Sequence, residues 1–327
     1  MTKLARFALT MGSAALLAGC GGSQPPIGAP GAMPQSGAAA QHASHGGSWM
    51  LPEATGEDLI YAVVGCDFST CVFSYPDGRL VGTLPITGLG ICSDSQGNVF
   101  IAGDSEVTEY AHGGTSPIAT LSVPGTEAHS CAFDPSTNNL AVLYDGSGAN
   151  VAIYPNEGGA PALYGSPVGG WSCGYDDAGN LFVDGYSNSG YGFAELPSGS
   201  SSFTSISISQ SVGTPGEVQS DGNYITYEDR ESGDVKVSQL SISGSAATIV
   251  GTTKLKLHST ATASWIFGNR IIVPHPARRH LRGYTNQISY FKYPEGGAPL
   301  KTIKNISGFK KLDTNFQGVT ISVAPSH

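Results

Sequence analysis

The stretch Gly97-Asn98-Val99-Phe100-Ile101-Ala102 decides the fold, because the chain repeats it. It returns as Asn138-Asn139-Leu140-Ala141-Val142-Leu143 and again as Gly179-Asn180-Leu181-Phe182-Val183. Weaker copies are Gly222-Asn223-Tyr224-Ile225-Thr226 and Gly268-Asn269-Arg270-Ile271-Ile272. The second residues stand at 98, 139, 180, 223 and 269, with spacings of 41, 41, 43 and 46. Asn and Gly tolerate positive φ, so each pair marks a tight turn entering a β-branched and aromatic strand. An aspartate comes just before four of these turns: Asp94, Asp134, Asp176 and Asp221. Further out, a third strand ends in Tyr or Leu, often before proline, as at Tyr75-Pro76, Tyr154-Pro155, Leu196-Pro197 and Tyr293-Pro294. A Gly-rich turn follows, and a short fourth strand closes the unit, as at 118–123 and 300–303.

Four antiparallel strands per 40–45 residues predict a β-propeller. Three strands precede the first full unit (59–64, 71–75 and 80–86), and two stand in the tail (309–315 and 318–323). With five full units between, the total lies nearest the 24 strands that six four-stranded blades require. Seven blades is the second choice. Residues 51–327 are therefore expected to form an all-β, six-bladed propeller. Its C-terminal strand should complete the N-terminal blade and remove the free edges. Composition agrees. With 45 Gly and 20 Pro, a helical bundle is excluded, since each costs a helix about 1 and 3 kcal/mol. Only 13% of residues are charged and the net charge is −9, which argues against a nucleic-acid partner. The 40% hydrophobic share is enough for a core.

The repeat grammar of Asp, Gly-Asn turn, hydrophobic strand and second Asp resembles NHL-type six-bladed propellers. The resemblance spans about residues 56–325, clear in the units starting near 89, 129 and 171 and weak after 215. It implies the fold, and a scaffold used mostly for binding. A second resemblance lies at the N-terminus. Lys3 and Arg6 precede a short apolar run at 7–17, which ends in Leu17-Ala18-Gly19-Cys20. This is similar to the lipobox of bacterial lipoproteins. It implies a signal peptide over 1–19 and a lipid on Cys20, which anchors the chain to a membrane. Gly21 and Gly22 follow, with no retention aspartate. The expected location is the cell envelope, at the periplasmic face of an outer membrane or at the cell surface. The rest of 20–50 is Gly-, Ala-, Ser- and Pro-rich and reads as a flexible tether.

Several groups in the repeat frame carry possible chemistry. Asp67, Asp104, Asp145, Asp184 and Asp229 follow the second strands, with His275 in the sixth unit. A ring so wide is expected to cap local turns rather than to hold one ion. The starts of the inner strands offer Leu89, His129, Trp171, Glu217 and His258 around one funnel mouth. His129, Trp171, Glu217 and His258 are the expected ligand-binding residues there. Cys66 and Cys71 flank a short loop and suit a cross-hairpin disulfide. Cys92, Cys131 and Cys173 recur on inner strands. They read as small apolar residues filling a crowded axis, with a disulfide between neighbours as the other reading. The segment from Pro274 to Tyr284 reads as a long basic loop, in which His275, Arg278, Arg279, His280 and Arg282 either grip an anion or are simply solvated.

The expected function is a lipid-anchored binding or scaffolding module for a protein, a glycan or a small ligand, with no cofactor. The alternative is suggested by the gluconolactonase-like propellers. It is a hydrolase or lyase with one Ca²⁺ or Zn²⁺ at the axis and Glu217 among its ligands.

Overall fold

The computed structural model describes residues 47–63, 69–230, 235–257, 259, 261, 263–279, 283–304 and 316–325. Among them there is no α-helix, only short 3₁₀ turns at Pro52–Gly56 and Pro155–Glu157. The strands form six sheets, each built on a blade of four antiparallel strands. Blades 2 to 6 begin with the inner strands Gly90–Ser93, Ala128–Asp134, Gly169–Tyr175, Pro215–Ser220 and Trp265–Phe267. Blade 1 takes its inner strand, Gly318–Ser322, from the C-terminus. These six strands touch in sequence around the axis and close the ring. This is the predicted six-bladed propeller, and its blade 1 is composed as expected. Two outer edges carry an extra pair of residues, Trp49–Met50 on blade 1 and Ser207–Ile208 on blade 5. The tail strand expected at 309–315 lies outside the described residues.

The core follows from strand periodicity. Alternate side chains of a strand point to opposite faces, and each blade is covered on both faces by a neighbour. Leu59–Val63 is therefore buried at every position. Ile60 and Ala62 pack towards blade 6 with Ile272, Tyr290 and Ile321, whereas Leu59, Tyr61 and Val63 pack towards blade 2 with Ile91, Val99 and Ile101. Equivalent clusters fill the other junctions. The hydrophobic core is thus six slabs between blades.

The turns behave as their residues require. Gly97, Gly179, Gly222 and Gly268 have φ between 57° and 88°, and Asn138 takes the same role at 57°. Each preceding aspartate accepts hydrogen bonds from its own turn, for example Asp176 Oδ1 from the N–H groups of Ala178 and Asn180.

Near the axis the inner strands approach closely. A Cβ on Gly90 would lie 2.6 Å from Ser130 Cα, and one on Gly174 would lie 2.4 Å from the Val218 carbonyl oxygen. This closeness corrects one expectation. Cys92 and Cys131, favoured above as space fillers, form a disulfide between blades 2 and 3, with Cα atoms 5.7 Å apart. Cys173 is buried and free, as the filler reading requires. Cys71 is disulfide-bonded. Cys66 lies outside the described residues, and so does the expected Cys66–Cys71 pairing.

A second correction concerns blade 6. The basic segment is not a loop. Arg270–Arg279 and Gly283–Lys292 pair continuously out to Arg279↔Gly283, forming a long two-stranded ribbon.

Filling the inner-strand approach tests this packing. Gly174→Ala is expected to cost about 1–3 kcal/mol in denaturant unfolding, the usual penalty for overpacking. Unchanged stability would contradict the close approach.

Candidate functional site

The starts of the inner strands converge on a solvent-open cavity of about 310 Å³ at one end of the axis. Leu89, His129, Trp171 and Glu217 all line it, so four of the five positions expected at the funnel mouth meet there. His258 lies outside the described residues. Blade 6 contributes Trp265 instead, and Glu127, Asp145 and Gln219 complete the polar wall. Among the described residues, no Lys or Arg lines the cavity. A second depression of about 340 Å³ opens at the other end of the inner strands. The two share Cys131, Cys173, Val218, Gln219 and Trp265, which form the waist of the axis. A larger depression, about 800 Å³, is an open trough between blades 4 and 5. Its turn aspartate Asp176 is held by its own turn, so it offers less convergent chemistry than the axis.

His129, Gln219 and Glu217 are each held by a neighbour. Trp171 is 48% exposed, so its ring is available to a ligand. His129 Nε2 stands 3.6 Å from Asp145 Oδ1. Burial lowers the His129 pKa against the opposing pull of Asp145 and Glu127, so the imidazole is neutral at pH 7. Gln219 accepts from the Ile266 N–H at 2.7 Å and so latches blade 5 to blade 6.

Glu217 belongs to a deeper network. Its Oε2 accepts from Ser172 Oγ at 2.9 Å, across the junction of blades 4 and 5. Its Oε1 lies 3.5 Å from the Arg230 guanidinium, which also pairs with Glu228 at 2.9 Å. Asp184 Oδ1 accepts from the Ser172 N–H. Two carboxyl groups thus pair with one guanidinium, whose charge also acts on Asp184. Asp184 Oδ2 and Glu228 Oε1 are buried without a hydrogen-bond partner. Burial raises the Tyr191 hydroxyl well above its ordinary pKa, with Asp184 adding to the effect, yet the hydroxyl makes no hydrogen bond of good geometry. Burial pushes the Glu217 carboxyl up to about 7, although Arg230 opposes the shift. Burial also raises Asp184 well above the usual carboxylate range.

The remaining expected site residues are not brought to this cavity. His275 is buried within the blade 6 ribbon, 7% exposed. Its Nε2 lies 2.9 Å from Ser289 Oγ and its Nδ1 3.0 Å from Ser259 Oγ. It is therefore a core residue, not part of an anion grip. Arg278 and Arg279 stand on the ribbon near its tip. His280, Arg282, Asp67 and Cys20 lie outside the described residues. Of the aspartates after the second strands, Asp229 accepts from the Gly213 N–H as a local cap, whereas Asp145 faces the cavity. Among the described residues, the axial wall does not gather three His, Cys or carboxylate groups within ligating distance. The donor set at Glu217 does not fit the axial metal of the hydrolase alternative.

Sequence reasoning missed Trp265 because it measured blade 6 forward from the previous repeat. Counting back from Gly268-Asn269 would have found the strand Trp265-Ile266-Phe267.

No protein-family model matches this chain, and no curated protein matches it. Solved structures share its fold. A chain of the nidogen/laminin complex aligns with a TM-score of 0.62 at 11% identity, covering 83% of this chain and 100% of that one. The Cps50 (Swd1) β-propeller domain of Myceliophteria thermophila aligns with a TM-score of 0.52 at 6% identity, covering 79% and 86%. A hydrazine synthase chain of Kuenenia stuttgartiensis gives 0.50 at 15% identity and covers 63% of each. These likenesses define the class, a six-bladed β-propeller, and at such identities they carry the fold alone.

The buried acid network sets a pH dependence. Glu217 is raised, so the folded state keeps a proton that the unfolded chain releases above about pH 4.5. Its stabilising contribution is complete below that pH and is lost as pH rises to about 7. Unfolding free energies of the wild type and Glu217→Gln should diverge across this window. The wild type should lose on the order of 2 kcal/mol more by pH 8. Parallel pH profiles would contradict the assignment.

Proposed function

We propose that this chain is a lipid-anchored, extracytoplasmic binding module whose axial cavity takes a small organic cation. One observation carries the ligand class. The cavity combines Trp171 and Trp265 with the carboxyls of Glu127, Asp145 and Glu217, and among the described residues neither Lys nor Arg lines it. Indole faces attract cations through their quadrupole, most strongly where water is partly excluded. The carboxylates of Glu127 and Asp145 add Coulombic attraction, whereas Glu217 is already engaged by Arg230. The volume falls at the lower end of ordinary small-molecule sites. His129, neutral at pH 7, adds a hydrogen-bonding edge without a competing positive charge.

Isothermal titration with choline tests this reading, with glucose as an uncharged comparison. Choline is expected to bind, and Trp171→Ala to weaken it at least tenfold. Binding of glucose but not choline would overturn the cationic class.

The anchor rests on Leu17-Ala18-Gly19-Cys20 and the positive residues before it. The Cys92–Cys131 disulfide supports a location outside the reducing cytosol. In a bacterial host fed an alkyne fatty acid, the full chain should take up the label and partition into detergent. Cys20→Ala should abolish both. Label retained on Cys20→Ala would contradict the anchor.

A further inference from the structure

We propose a calcium site formed by Asp94, Glu109 and Glu157 at the junction of blades 2 and 3, remote from the axial cavity. Each residue offers one oxygen, and these three atoms all lie within 4.8 Å of one another. Oxygens bound to one calcium at about 2.3–2.6 Å stand no more than roughly 5 Å apart, so a single ion can reach all three. Asp94 belongs to the turn after the blade 2 inner strand. Glu109 comes from the third strand of that blade, Glu106–Tyr110. Glu157 ends the short 3₁₀ turn of blade 3.

The repeat itself provides the comparison. Glu109 pairs in register with Phe100 on the second strand, and Gln239 holds the same place in blade 5, opposite Thr226. In blade 5 the turn aspartate is Asp221. Gln239 Nε2 donates to its Oδ2, and the Tyr293 hydroxyl donates to the same oxygen from blade 6. Two donors, one from the same blade and one from the next, satisfy that carboxylate. In blade 2 the Gln239 donor is replaced by an acceptor, and the counterpart of Tyr293, Tyr154, donates to the Ser122 carbonyl instead. Glu109 stands where Gln239 stands, and the carboxyl reaching over from blade 3 is Glu157. Asp94 still receives its own turn, from the N–H groups of Gln96 and Asn98 and from Asn98 Nδ2. Glu109 has no hydrogen-bond or ion-pair partner and is only 8% exposed, with its carboxyl directed into the cluster. None of the three makes a salt bridge among the described residues.

Three converging carboxyls, of which only Asp94 receives donors, need protons or a cation. The strain shows in their acidities. Burial raises Glu157 to about 7, with Asp94 and Glu109 adding to the effect, and burial with Asp94 raises Glu109. An all-oxygen set selects a hard cation. Ligands drawn from two blades suit calcium, which accepts variable geometry, better than magnesium, which demands a near-ideal octahedron. Blade 4 repeats only part of the arrangement. Glu195 faces Asp176, and no third carboxyl joins them within ligating distance.

The test is calorimetric unfolding of the full chain at pH 7.5 after chelation, with and without 5 mM CaCl₂ or MgCl₂. Calcium is expected to raise the wild-type Tm by several degrees and magnesium by less. Glu109→Gln installs the donor that blade 5 already uses. It should fold, match or exceed the metal-free wild type in Tm, and lose the calcium shift. Glu157→Gln should lose the shift too, whereas Glu195→Gln should keep it. A wild-type Tm that does not respond to calcium would overturn the site. So would a calcium shift that survives in Glu109→Gln.

Discussion

Everything in this structure depends on one pairing, that of Gly318–Ser322 with Leu59–Val63. The register runs Leu59↔Ser322 to Val63↔Gly318, and it supplies blade 1 with its inner strand. Without it, a row of backbone donors and acceptors on Leu59–Val63 would face the axis unpaired. The consequence reaches beyond one sheet. Each slab of core needs a blade on both sides, so an open ring would leave the first and last slabs half exposed. Ile321 and Val319 sit in the slab that joins blade 6 to blade 1.

Around the axis, polar and covalent stitches reinforce the closed ring. Ser93 donates to the Ile321 carbonyl between blades 2 and 1. The Cys92–Cys131 disulfide joins blades 2 and 3, and the Ser172–Glu217 hydrogen bond joins blades 4 and 5. Gln219 joins blades 5 and 6 through the Ile266 N–H. These contacts exist because the inner strands crowd together where glycine allows it. The same crowding makes the site. The strands start close enough for Leu89, His129, Trp171 and Glu217 to share one cavity, although they are separated by about a repeat each in sequence.

The repeat made the fold legible. The Gly-Asn turns, the turn aspartates and the strand ending in Tyr-Pro each have a local physical cause, and local causes can be read from a sequence. Position within the repeat also predicted most of the funnel mouth. What stayed hidden depends on distances between repeats. The Cys92–Cys131 bond needed the separation of two inner strands, which Gly90 sets. The partnership of Glu217 with Arg230 needed the approach of neighbouring strands within blade 5. Trp265 was misplaced because the segment before it is longer than its counterparts. The segment from Pro274 onward read as a loop, yet Pro274 and Pro276 both lie in the paired strand. The difference between Glu109 and Gln239 was visible in the letters. Its meaning required knowing that both face a turn aspartate.

Native-state hydrogen exchange on the amides of Gly318–Ser322 tests the central claim most directly. If closure holds the ring, these amides exchange only through global unfolding, with the same free energy as those of Val99–Gly103 in the interior of blade 2. Exchange of the C-terminal strand by fraying, at a free energy well below the global value, would contradict the account.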